Sequence, residues 1–174
     1  MVQDDHCTLS GRMRTIVTGL IVILASGCAA TAPLEPGRSD DMRRSVDQRP
    51  LQLGERIAGH AVSMVGSPYR YGGSTPETGF DCSGLVFYSF GQTGISVPRT
   101  SLAQFRSARK ISLHDAGEGD ILFFQDQEKL SHVGIFIGGG RFVHAPASGR
   151  SVSIASLDNP YYQMHLVGVG RLLP

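Results

Sequence analysis

The sequence has no tryptophan, only three cysteines and no apolar run long enough to cross a bilayer. Its 16 basic and 15 acidic residues nearly cancel. It therefore lacks the clustered Lys and Arg that a phosphate backbone requires, and no nucleic-acid partner is expected. Charged residues are 18% and hydrophobic residues 41% of the 174, which suits a packed core and excludes bulk disorder. At roughly 100–200 residues per domain, the length gives one domain plus a short extra segment. Glycine is abundant instead: 22 residues, about one in eight against a usual ~7%. Such usage favours turns and short strands over a helix bundle.

The longest apolar stretch, residues 16–24 (IVTGLIVIL), has nine residues, where a spanning helix needs about 20. Arg12 and Arg14 precede it and Ala25, Ser26, Gly27 and Cys28 follow. A basic region, a short apolar region and small residues define a secretory signal over residues 1–27. Met13 is an alternative start, because Asp4 and Asp5 are unusual ahead of the basic residues. Cys28 after Ala-Ser-Gly resembles a bacterial lipobox, although Ala25 stands where Leu is commoner. The other reading is an ordinary signal with an incidental cysteine. The lipobox implies a diacylated, palmitate-bearing Cys28 that anchors the chain in a membrane. Ala29, in place of Asp, implies the periplasmic side of a Gram-negative outer membrane. Residues 28–50 are polar and contain proline, and are expected to form a flexible tether. The folded domain is expected over residues 51–174.

Apolar residues at 53, 57, 58, 61, 62, 64 and 65 predict an amphipathic helix over 51–65. Residues 68–79 (PYRYGGSTPETG) are turn-rich. A buried helix is expected over 82–90, a capped one over 100–108 and a short one over 159–164. Five β-type runs, at 121–125, 133–137, 141–145, 151–155 and 166–173, follow the first helices. Helices first and strands after predict an α+β fold, with helices packed on a mainly antiparallel sheet of five to six strands.

With Cys7 removed and Cys28 lipidated, Cys82 is the one free thiol of a secreted chain. It is either a small buried hydrophobe or a nucleophile. A helix starting there carries roughly half a positive charge at its N-terminus, which favours thiolate. Asp81 opposes it. His132 (SHVGIFIG) and His144 (RFVHAPASG) lie 12 residues apart across a GGGR turn, so a hairpin brings them close on one sheet face. Each alone is more often an ordinary half-buried histidine. Together with Cys82 they supply a nucleophile, a base and a group to orient the base. A zinc site with His114 or Asp120 as fourth ligand is the rival, but no C-x-x-C or H-x-x-x-H spacing occurs. No metal or cofactor is expected.

Six strings occur in order: PYRYGG (68–73), DCSGLV (81–86), VPRTSLAQ (97–104), GEGDILFF (117–124), HVGIFIG (132–138) and FVHAPASG (142–149). In these the chain resembles the NlpC family of bacterial cell-wall cysteine peptidases, a compact papain-like group, and in particular its small lipoprotein members. The resemblance implies Cys82 as nucleophile, His132 as base and His144 as its orienting partner. It implies Tyr69 as an oxyanion donor beside the Cys82 N–H. It places Asp81 and Ser83 where some members touch substrate, although Asp81 also reads as a helix cap and Ser83 as a plain first-turn residue. The implied function is a monomeric, peptidoglycan-directed endopeptidase. D-alanyl–diaminopimelate crosslinks are favoured over γ-D-glutamyl–diaminopimelate bonds, from the single-domain lipoprotein layout. A non-catalytic wall-binding lipoprotein is the alternative. An activated Cys82 is expected to alkylate with iodoacetamide at pH 6.

Overall fold

The computed structural model describes residues 38–126 and 129–173. The signal segment, Met13 and Cys28 lie outside the described residues. Helix α1 runs Arg38–Ser63. It therefore crosses the boundary expected at residue 50, and 38–50 are helical, not an irregular tether. The reason is local. Arg, Gln and Leu are good helix formers. Pro50 lies inside the helix and brings no N–H for the preceding turn. Among the described residues, no helix is long and apolar enough to cross a membrane.

Ile57, Ala58 and Ala61 form the buried stripe of α1, whereas Val62 and Val65 are exposed. A two-residue hairpin follows, β1 (Ser74–Thr75) with β2 (Gly79–Phe80), and leads into α2, Cys82–Gly91. Helix α3, Ser101–Ser107, is capped by Thr100, whose hydroxyl accepts from the Ala103 N–H.

The strands are β3 (Arg109–Ile111), β4 (Ile121–Asp126), β5 (Lys129–Phe136), β6 (Arg141–His144), β7 (Ser153–Ser156) and β8 (Leu166–Arg171). They form one six-stranded sheet of order β3-β8-β4-β5-β6-β7, antiparallel throughout. Edge strand β3 is additional to the five runs the sequence predicts. Helix α4, Pro160–His165, precedes β8. The result is the α+β, helix-on-sheet arrangement expected from the order of periodicities.

Alternation along the strands sorts the side chains into two clusters. Ile121, Phe123, Val133, Ile135 and Val143 pack with Ile57, Leu85, Val86 and Phe90 from α1 and α2. Leu122, Phe124, Phe136 and Phe142 face the other way and pack with Tyr162 of α4. Asp120, 1% exposed, ties β4 to β8: Arg171 donates to it from Nε at 2.8 Å and Nη2 at 2.6 Å, and Gly117 N–H at 2.8 Å. Asp120 is thus a sheet support, not a ligand.

Helix α1 meets the turn before β4 backbone to backbone. A Cβ on Gly54 would lie 2.1 Å from the Glu118 carbonyl oxygen. Gly59, on the same helix, has nothing within 4 Å of its Cβ position. These two glycines therefore respond oppositely to alanine. Gly59→Ala is expected to stabilise by about 0.5–1 kcal/mol through helix propensity. Gly54→Ala is expected to destabilise by about 1–3 kcal/mol, because the clash outweighs that gain. Urea midpoints at unchanged m-value measure both.

Candidate active site

Cys82 is the first residue of α2, so its position is set by what holds that helix end. Asp81 is the N-cap: its Oδ1 accepts from Gly84 N–H at 2.6 Å. Arg99 donates to Oδ1 from Nη1 at 2.9 Å and to Oδ2 from Nη2 at 2.8 Å, a bidentate pair. Gly72 N–H donates to Oδ2 at 2.9 Å and the Ser83 hydroxyl to Oδ1 at 3.2 Å. Arg99 also reaches the Gly73 carbonyl at 3.1 Å and Ser83 Oγ at 3.0 Å. Buried Gln104 donates to the Ser83 and Pro98 carbonyls at 3.0 and 2.8 Å. Gly84 leaves room for this: a Cβ there would lie 2.0 Å from the Gly73 carbonyl oxygen.

Burial pushes the Asp81 carboxyl up, but the Arg99 hydrogen bond, the Gly84 N–H, the Arg99 charge and the Gly72 N–H together hold it below its ordinary value. Asp81 and Ser83 border the cavity at the thiol, yet their polar atoms are engaged within the protein. The structure thus bears out the helix-cap reading of Asp81 and gives Ser83 a supporting hydrogen bond to it. Arg99, 18 residues along the chain from Asp81, stands in the VPRTSLAQ string, where a structural role and a groove-lining one read equally well; its pairing with Asp81 is what the sequence does not show.

The thiol is half-buried, and its polar neighbours are the backbone N–H groups of Val133, Ser83 and Cys82 itself. Desolvation pushes it above the ordinary thiol value. The Asp81 charge adds to that rise, and the N–H groups oppose both. This runs against the low-pKa thiol expected from the helix terminus alone. The residue before Val133 is His132, so the thiol sits against the β5 segment that carries the histidine. No hydrogen bond joins the thiol to His132 among the described residues.

His132 and His144 are brought together as the hairpin predicts: Nε2 of His132 lies 2.8 Å from Nδ1 of His144. Their rings meet edge to face with centroids 5.0 Å apart. Phe124 packs against His132, and Phe142 and Tyr162 against His144. Burial first, and then the His144 charge, lowers His132 to about 3. Burial first, and then the Arg150 guanidinium, lowers His144 to about 4. Both rings are neutral at pH 7, so one N–H lies between them. The Tyr162 hydroxyl lies 3.4 Å from His144 Nε2 at the far end of the pair. Sequence reasoning missed Tyr162, which is 30 residues from His132 on the short helix α4.

Two cavities flank β5. One, of about 500 Å³, is lined by Cys82, Tyr69, Tyr71, Arg99 and Ser131. The other, of about 420 Å³, is lined by His132, His144, Arg150, Tyr162 and again Ser131. Tyr69 thus shares the thiol's cavity. Desolvation first, and then the Cys82 and Asp81 charges, raises its hydroxyl, which stays a donor at neutral pH. His114 is exposed on a short 3-10 turn beside Asp115, and Asp120 is held by Arg171. Among the described residues, no group of three or more His, Cys, Asp and Glu side chains could hold a metal.

The profile of the NlpC/P60 family matches residues 66–171. The chain is 40% identical over 117 residues to murein DD-endopeptidase MepH of Escherichia coli, covering 64% of this chain and 43% of that protein. It is 42% identical over 121 residues to the bifunctional muramidase/DL-endopeptidase CwlT of Bacillus subtilis, covering 68% of this chain and 36% of that one. The chain thus spans less than half the length of either relative. Among solved structures, the NlpC/p60 domain of the peptidoglycan hydrolase SagA matches with a TM-score of 0.60 and 34% identity, over 68% of this chain and 98% of that one. An NlpC/P60 protein from Bacillus cereus matches with a TM-score of 0.66 and 31% identity, over 70% and 40%.

The neutral histidines make stability fall on acidification. Below the ordinary value near 6.5 the unfolded chain takes up protons that the folded pair refuses. The loss continues down to about 4 for His144 and about 3 for His132. Its limiting slope is roughly 1.4 kcal/mol per pH unit for each histidine. Urea unfolding between pH 6 and 4.5 should show this fall, and His144→Gln should flatten it relative to wild type.

Proposed function

We propose a function on one premise: the chain belongs to the NlpC/P60 family. It is a cysteine endopeptidase of peptidoglycan peptides, and D-alanyl–diaminopimelate crosslinks are its favoured substrate. The carrying observation is the Cys82 thiol, fixed at the start of α2 against β5, whose His132 is hydrogen-bonded to His144. Support for the crosslink comes from the relative named a murein DD-endopeptidase, and support for peptidoglycan peptides in general from both named endopeptidases.

The reaction begins with thiol and imidazole both neutral. His132 donates from Nε2 to His144 Nδ1, which leaves His132 Nδ1 unprotonated; the opposite tautomer would leave it no lone pair for the thiol. As sulfur attacks the amide carbonyl, the thiol proton passes to Nδ1 and the C–S bond forms. The Tyr69 hydroxyl and the Cys82 N–H hold the oxyanion. The C–N bond then breaks, and the His132 proton goes to the departing amine. A water, deprotonated by His132, cleaves the thioester and returns the thiol. Asp81, Arg99 and Ser83 keep the nucleophile in place and make no step themselves.

The second reading is cleavage of γ-D-glutamyl–diaminopimelate bonds. It is favoured by the 42% identity to a protein named a DL-endopeptidase and by a relative named gamma-DL-glutamyl hydrolase. For location, the reading remains a secreted chain anchored through Cys28 on the periplasmic side of an outer membrane. Radiolabelled palmitate incorporation that Cys28→Ala abolishes is its test.

The full-length chain, in detergent, is incubated with diaminopimelate-type sacculi beside Cys82→Ser, and muropeptides are identified by mass spectrometry. Loss of crosslinked dimers with wild type alone is the expected result. Shortened stems move the bond to γ-D-glutamyl–diaminopimelate, and no change in either sample rejects the peptidase. Tyr69→Phe should lose on the order of 100- to 1000-fold in kcat, the cost of one oxyanion donor.

A further inference from the structure

We propose that Arg150 binds the free carboxylate on the leaving-group side of the scissile bond, which makes the cleft at the histidine pair the leaving-group subsite. This inference rests on the endopeptidase reading and deepens it. A histidine that protonates the departing nitrogen must stand beside that nitrogen. The oxyanion donors Tyr69 and Cys82 N–H lie in the other cavity. The acyl half of the substrate therefore occupies the Tyr69 side, and the amine half crosses Ser131 into the cleft of His132, His144 and Arg150.

The cations of the two cavities differ. Arg99, on the acyl side, is held by Asp81 in a bidentate pair. Arg150 is exposed and forms no salt bridge among the described residues. Its backbone is nevertheless fixed: its carbonyl accepts from Tyr69 N–H at 2.8 Å, and its N–H donates to the Ala147 carbonyl at 3.1 Å. The residue that carries the free guanidinium is thus tied to the residue proposed to hold the oxyanion. The guanidinium is close enough to depress His144. The same cleft also holds His165 and one carboxylate, Asp126.

A guanidinium fork matches a carboxylate in two hydrogen bonds. In a D-alanyl–diaminopimelate crosslink, the carbon bearing the departing nitrogen also bears a free carboxylate. In the γ-D-glutamyl–diaminopimelate bond of a tetrapeptide stem, the carboxyl at that carbon is already an amide. Arg150 therefore selects the crosslink.

The test uses purified crosslinked dimers with this carboxylate either free or converted to carboxamide, and full-length wild type, Arg150→Gln and Arg150→Lys. Wild type should lose about 10- to 100-fold in kcat/KM on the amidated dimer, mostly in KM, the range for a charge-assisted contact. Arg150→Gln should show that loss on the free acid and no further loss on the amide, with Arg150→Lys between. Equal wild-type rates on both dimers overturn the assignment. So does a loss in Arg150→Gln that is the same on both substrates, since a purely structural role gives that pattern. Cleavage of neither dimer by wild type overturns the endopeptidase reading, and this inference with it.

Discussion

The candidate site depends on how the Asp81 carboxylate is satisfied. A carboxylate at 9% exposure is costly unless its charge and lone pairs are met. Here Gly84 N–H, Gly72 N–H, the Ser83 hydroxyl and both ends of the Arg99 fork meet them. Those donors come from three stretches of chain: the loop after α1, the first turn of α2 and the segment before α3. One carboxylate thus fixes the thiol-bearing helix end relative to the loop that carries Tyr69. Its negative charge also falls next to the thiol, which it disfavours as an anion. Desolvation is the larger cause of the raised thiol, and the carboxylate that positions it adds to the rise.

Burial acts in the same direction on the other partners. A thiol pushed up and imidazoles lowered to about 3 and 4 describe a neutral resting site. The His132–His144 hydrogen bond then chooses which ring nitrogen is available, and the aromatic packing of Phe124, Phe142 and Tyr162 holds both rings. In the proposed mechanism the charge appears only as the carbonyl is attacked, and Tyr69 and the Cys82 N–H would hold the new oxyanion. Ser131 lines both cavities, one at the thiol and one at the histidine pair.

Much of this was legible in the sequence because it rests on local rules. Alternation on β5 and β6 and a glycine-rich turn between them were enough to pair His132 with His144. The spacing of residues 57, 58 and 61 marked the buried stripe of α1. Other features follow no local rule. The polar, proline-containing composition of 28–50 reads as a tether, whereas α1 begins at Arg38 and runs through Pro50. Strand β3 has three residues with no buried alternation, and the β1–β2 hairpin has two per strand. Arg99 and Tyr162 reach Asp81 and His144 only because the chain folds back, and neither the VPRTSLAQ string nor the short run at 159–164 declares those partners. The sign of the thiol shift is likewise set by burial, which outweighs the helix terminus and is invisible in DCSG.

In the proposed mechanism Cys82 and His132 rest as neutral thiol and neutral imidazole, and the proton moves only on attack. The most direct measurement is the rate of Cys82 alkylation by iodoacetamide from pH 5 to 10, with the adduct located by mass spectrometry. A neutral pair gives slow reaction at pH 6 and a rate still rising through and above the ordinary thiol range near ~8.5. A rate already at its plateau by pH 6 would contradict it, because that profile belongs to a preformed thiolate–imidazolium pair.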